Sequence, residues 1–127
     1  MTSDSSIRIA RRIFTVAALY GVVVLLPLYA AEPMMAKAGR PVTHPELLYG
    51  FVGTALAFQL VYGTIGRDPV RYRPLMPVAV IAKCSFGVPV AILFALARVD
   101  PVVLAFASVD LLIAVLFLFA WRTTRPA

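Results

Sequence analysis

Four apolar runs dominate the chain and decide what it can fold into. They extend from Ile13 to about Ala31, from Leu47 to Ile65, from Leu75 to Ala97 and from Val102 to Trp121. Each matches the ~20 residues that a helix needs to cross a ~30 Å hydrocarbon core. A helix is the one conformation open to an isolated segment in lipid, because a lone strand or loop leaves backbone amides unpaired there. No alternating period suggests a barrel, and the runs are too long and closely spaced for buried strands. The fold class that follows is all-α: an integral membrane, antiparallel four-helix bundle forming one transmembrane domain over residues 1–127.

Composition agrees with this. Hydrophobic residues make up 61% of the chain and charged residues 14%, against about 45–50% and 25% in soluble domains. A chain of 127 residues has too little interior to hide that much apolar surface from water. The net charge of +6 comes with no basic stripe, motif or aromatic platform, so nucleic acid is not an expected partner. The expected partner is the lipid bilayer itself. The single cysteine, Cys84, lies inside an apolar run and excludes an intrachain disulfide.

Three connections join the runs: a polar loop from Glu32 to Glu46, a short basic turn reading GRDPVRYRP from Gly66 to Pro74, and the tight turn RVDP from Arg98 to Pro101. The last makes segments three and four a hairpin. The first segment has the basic flank of a signal peptide in Arg8, Arg11 and Arg12. Its apolar stretch is too long for one, however, and no A-x-A site follows, the exit reading LYAAEP. With four spans, both termini share a side with the middle turn. That side holds Arg8, Arg11, Arg12, Arg67, Arg71, Arg73, Arg122 and Arg125; the other holds Lys37, Arg40 and Arg98. The positive-inside rule therefore predicts cytoplasmic termini in a bacterial cytoplasmic (inner) membrane.

Two ionisable residues lie within the runs, Lys83 and Asp110. Each costs at least ~2.5–3.5 kcal/mol on insertion scales, so each needs a partner. At 1.5 Å per residue, Lys83 is ~12 Å and Asp110 ~16 Å from the cytoplasmic boundary. They sit on hairpin neighbours, and a lysine spans that offset, so the spacing predicts an ion pair. Ala107 and Ala114 flank Asp110 at i−3 and i+4 and permit close helix contact. Gln59 and Tyr20 sit ~9–10 Å deep, with Tyr62 on the face of Gln59. Each helix thus offers a polar group to one buried layer, and Gln59 or Tyr20 is expected to hydrogen-bond the pair. Pro89 and Gly87 place a kink beside Lys83. The same pattern serves a ligand or coupling site as well as a purely structural one that fixes helix register. An ion-paired lysine keeps its proton and lacks the lone pair that Schiff-base chemistry needs.

A second, outer cluster comprises Glu32, His44, Glu46, Arg98 and Asp100. One histidine with scattered carboxylates lacks zinc-ligand spacing, and the H-x-E of THPE has no P-C-x-x-C companion for deaminase chemistry. No metal or cofactor is expected. Thr43 or a neighbour caps the second helix in this reading, with Glu46 favouring its positive end. Arg67, Arg71 and Arg73 with Tyr72 are candidates for an anionic lipid headgroup. Gly50, Gly53 and Ala57 mark a small-residue side of segment two for packing within the bundle or with another copy.

THPELLYGFVG, GRDPVRYRPLMP and KCSFG resemble stretches of small four-span bacterial membrane proteins to which no activity is assigned, from about Ile13 to Trp121. The shape is also similar to DoxX-like proteins and, more thinly, to the four-helix sterol-isomerase-like superfamily. That superfamily lines an intramembrane cavity with carboxylates; here Lys83 stands against Asp110, and segment two carries Gln59 where an acid is wanted. The resemblance implies a fold and no activity. The leading functional expectation is a non-enzymatic accessory subunit or lipophile-binding bundle. The alternatives are a small proton-coupled transporter and an intramembrane enzyme acting on a lipid, sterol or quinone-like substrate. Four helices alone enclose little water-filled volume, so transport implies a homo-oligomer or larger complex.

Overall fold

A computed structural model describes residues 3–126; residues 1, 2 and 127 of the expected domain lie outside the described residues. The described residues are helical, with no strand among them. Helix α1 spans Asp4–Leu25 and continues as a 3₁₀ turn over Leu26–Ala30. Helix α2 is a short Glu32–Lys37 segment, α3 spans Pro45–Arg67, α4 Met76–Ala95 and α5 Pro101–Thr123. Four stretches are long and apolar enough to cross a membrane: Asp4–Ala30, Pro45–Arg67, Arg73–Ala95 and Pro101–Thr123. By helix length and composition the chain is a multi-pass membrane protein.

Local chemistry sets the ends. The Ser3 hydroxyl accepts from the Ser6 amide at 3.2 Å and caps α1, so the first helix begins nine residues before the expected Ile13 and carries Arg8, Arg11 and Arg12 within it. Hydropathy alone cannot place that start, because a helix does not end where its apolar stretch ends. The expected Glu32–Glu46 loop contains α2, which Pro33 opens at a position where its missing N–H costs nothing. Proline likewise opens α3 and α5. After α4 the chain turns at Ala97, with φ 56°, and the Arg98 amide returns to the Leu93 carbonyl at 2.9 Å. Pro89 lies inside α4 without ending it.

Helix α4 lies along α5 and α1 along α3; α1 also meets α5, whereas α3 and α4 touch only thinly. The contacts sort into two ends. At one, Gly66 of α3 sits against Thr15 and Arg11 of α1, and the Thr124 hydroxyl reaches the Met76 sulfur at 3.8 Å. At the other, Tyr29 stacks on Tyr49 with centroids 5.8 Å apart, the Tyr49 hydroxyl donates to Glu32, and Arg40 pairs with Asp100 at 2.8 Å.

The core lies toward the Gly66–Met76 end. Phe14 and Phe117 stack at 4.1 Å, Tyr62 meets Phe117 at 5.0 Å, and Ala10, Ile65, Met76, Ala79, Ile113 and Ala120 fill in around them. Such rings contribute about 0.5–1.5 kcal/mol per pair beyond area burial. In lipid, where apolar side chains gain nothing by leaving the solvent, packing of this kind is what holds helices together. Leu19, Val23, Leu60, Ile81 and Val115, each more than half exposed, lie on the outside of the helices.

Candidate functional site

Lys83 and Asp110 meet. Lys83 Nζ donates to Asp110 Oδ1 at 2.9 Å, with the two side chains 7% and 19% exposed. Close approach of α4 and α5 makes this reach possible. Gly87, one turn along α4 from Lys83, has room for no Cβ, since one placed there falls 2.6 Å from Leu111 and 3.3 Å from the Ala107 carbonyl. Ala107 and Ala114 are both buried.

The expected extra hydrogen bond is not made. Gln59 Nε2 donates at 2.8 Å to the Ala55 carbonyl of its own helix, and its Oε1 is buried without a partner. Gln59 is folded against Gly21, where a Cβ would fall 1.9 Å from Oε1, so the glycine leaves on the α1 side the space that the amide fills. Tyr20 stays half-buried. The third group at the pair is the Tyr62 ring, whose centroid is 5.5 Å from Lys83 Nζ. Its negative face attracts the ammonium in a desolvated setting, by about 2 kcal/mol in favourable cases.

All five inner candidates, Tyr20, Gln59, Tyr62, Lys83 and Asp110, line one cavity of about 500 Å³. Tyr62, at the Lys83–Asp110 end that forms the floor, also meets Phe14 and Phe117 of the aromatic core. Away from the pair the walls are apolar: Val24, Leu25 and Leu28 from the first span, Phe51 and Phe58 from α3, Phe86 from α4, and Val103 and Phe106 from α5. Phe51, Thr54, Ile81 and Ser85 line the cavity yet are exposed, so it opens on the outer surface along the thin α3–α4 seam. Its polar lining is the Lys83–Asp110 pair with Tyr20, Gln59 and Tyr62, and Thr54 and Ser85 at the exposed edge. The cavity is within the 300–1,000 Å³ range of small-molecule sites, which pair apolar walls with a few placed polar groups. The α3–α4 pair stays apart, and the space between is largely apolar.

The outer residues do not converge. Glu32 is taken by Tyr49, His44 Nδ1 and Glu46 Oε1 lie 3.3 Å apart on the surface, and Asp100 pairs with Arg40. No group of three or more histidine, cysteine, aspartate or glutamate side chains comes together among the described residues. Of Thr43 or a neighbour, it is the neighbour His44 that occupies the N-cap of α3, without a side-chain capping bond. The three turn arginines face different ways. Arg73 donates to the Trp121 carbonyl at 2.8 Å and lies over the indole, Arg71 lies over Tyr72, and Arg67 turns to a groove between α1 and α3. The small residues chosen from sequence, Gly50 and Gly53, have open space or one loose contact. The close approaches are at Gly21, Gly66 and Gly87.

No known protein family, curated protein or solved structure matches the chain. The reading of the site therefore rests on its geometry.

Proposed function

We propose that this chain is a multi-pass protein of a bacterial cytoplasmic membrane, folded as one antiparallel four-helix bundle with cytoplasmic termini, that binds a lipophile in the cavity above Lys83 and Asp110. It acts as a non-enzymatic membrane component. The arginine excess at the Arg67–Arg73 end supports the orientation. The alternation of ends along the chain supports the bundle: Arg40 of the first connection pairs with Asp100 of the last, while Met76 meets Thr124 at the opposite end.

The observation that carries the binding reading is a largely apolar cavity of about 500 Å³ that the buried Lys83–Asp110 pair lines together with Tyr20, Gln59 and Tyr62. Such a space suits a molecule with an apolar body and a compact polar head. The head is neutral, because the ammonium and carboxylate at the floor already cancel and an added charge would be buried uncompensated. It engages the ion pair and the Tyr20 and Tyr62 hydroxyls, while the body lies between Phe51, Phe86 and Phe106. The apolar walls disfavour a hydrated transport path, in which polar side chains line the route.

Purification of the full chain in mild detergent, followed by solvent extraction and mass spectrometry, tests this. A neutral isoprenoid-, quinone- or sterol-like molecule is expected near one per chain, and Ala55→Phe and Val103→Trp, which fill the space, should each deplete it at unchanged helix content. A protein that carries no such molecule, or retains it in both variants, refutes the reading.

A further inference from the structure

We propose that the outer groove between α1 and α3 holds one anionic phospholipid, with its phosphate on Arg11 and Arg67 and an acyl chain along Ala18 and Gly63. This site lies on the outward side of the same helix pair and shares Gln59 with the lining of the cavity. The groove has a volume of about 690 Å³, and its form follows from how the two helices diverge. At Gly66 they nearly touch, since a Cβ there falls 2.6 Å from the Thr15 hydroxyl and 3.4 Å from the Arg11 carbonyl. One turn back along α3, at Gly63, the nearest atom to such a Cβ is the Ala18 methyl at 4.0 Å. The close contact brings Arg11 and Arg67 to one end, and the divergence leaves a channel rimmed by exposed Leu19 and Leu60.

Three properties point to a phospholipid. Both arginines are exposed and neither has an ion pair among the described residues, and two planar guanidinium forks suit a phosphate. Beyond them Ala18, Leu19, Leu60 and Gly63 give an apolar path as far as Val22, with Thr15, Thr64 and the Gln59 amide as its polar members. From Arg11 to Val22 is ~16 Å of helix at 1.5 Å per residue, about half of a ~30 Å hydrocarbon core and so the depth of one leaflet. A second copy of the chain fits worse. A twofold axis normal to the membrane would bring both pairs of arginines together, and like charges facing across an interface repel.

The test is native mass spectrometry of the full chain from nanodiscs of equal phosphatidylglycerol and phosphatidylcholine. One phosphatidylglycerol per chain should be retained over phosphatidylcholine. A basic side chain near an anionic surface contributes about fivefold, so Arg11→Gln with Arg67→Gln should cut that preference about twenty-five-fold. Gly63→Leu, whose Cβ would meet the Ala18 methyl at 4.0 Å without a clash, should reduce retention at least tenfold with both arginines present, and Ala18→Leu serves if that variant misfolds. Retention indifferent to the arginines overturns the proposal. Retention that needs the arginines yet survives both groove-filling variants, and that glycerol phosphate displaces, means that only a headgroup is bound and also overturns it. A dimer abolished by Gly63→Leu puts a second copy in the groove and overturns it as well.

Discussion

Replacing Lys83 by methionine strands the Asp110 carboxylate inside the helix layer, and replacing Asp110 by leucine strands the ammonium. At 2.9 Å and an effective dielectric constant of about 20, the gross attraction is about 6 kcal/mol, most of it offset by the desolvation both charges suffer on burial. Loss of one partner removes the attraction and leaves the desolvation, which for buried pairs costs about 3–5 kcal/mol. Removing both charges with apolar groups of similar volume is close to neutral. Lys83→Met and Asp110→Leu should therefore each destabilise by about 3–5 kcal/mol, and the double variant should lie within about 1 kcal/mol of the parent. Graded unfolding by dodecyl sulfate in mild-detergent micelles measures this. Helix dichroism and Trp121 emission serve as probes, the indole being sensitive because Arg73 and Arg125 lie 5.2 and 5.4 Å from its ring. Single variants as stable as the parent, or a double variant whose loss is the sum of the two, would refute the reasoning. A folded double variant that keeps its bound lipophile assigns the pair a structural role; one that loses it makes the pair part of the site.

Gly21→Ala should cost about 1–3 kcal/mol through overpacking against the buried Gln59 amide, and Gly21→Ala with Gln59→Ala should recover most of that in the same unfolding assay. Arg73→Ala removes a hydrogen bond to the Trp121 carbonyl at 2.8 Å and a cation over its ring; a loss of about 1–3 kcal/mol and a shift in Trp121 emission should follow. For the topology, a reporter active only outside the cytoplasm should be active when fused after Arg40 and silent at the C-terminus; activity at the C-terminus inverts the orientation. Metal analysis should find no stoichiometric ion lost on His44→Ala, since among the described residues no third histidine, cysteine, aspartate or glutamate joins His44 and Glu46.

The four spans and the Lys83–Asp110 contact were legible because both obey one-dimensional rules. A hydrophobic stretch has a length, and two charges on hairpin helices have depths that can be compared. Span starts were less legible: α1 begins at a serine cap in polar sequence, which hydropathy does not register. The partners of Gln59 and Tyr62 depend on helix rotation. A turn of one residue, 100°, decides whether an amide meets the ion pair or its own backbone, and sequence spacing places a side chain on a face without saying what the face meets. Which glycines lie at helix crossings within the chain was hidden for the same reason. Gly50 and Gly53 form a plausible stripe, yet Gly21, Gly66 and Gly87 mark the crossings, because crossing points depend on both helices at once. The cavity could not be read at all, since it is a gap between α3 and α4, and no residue encodes a distance between helices.

The thin contact between α3 and α4 has a thermodynamic consequence for whatever enters between them. A mouth on the flank of a helix bundle exchanges with the lipid phase, so the standard state for binding is a mole fraction in the membrane and the aqueous concentration of the guest drops out. A guest that partitions strongly into the bilayer occupies the site even at weak intrinsic affinity, and diluting the cells leaves its occupancy unchanged. Diluting the membrane with added lipid or detergent empties it. A dissociation constant reported per litre of buffer therefore has no meaning for this protein until the lipid-to-protein ratio is stated.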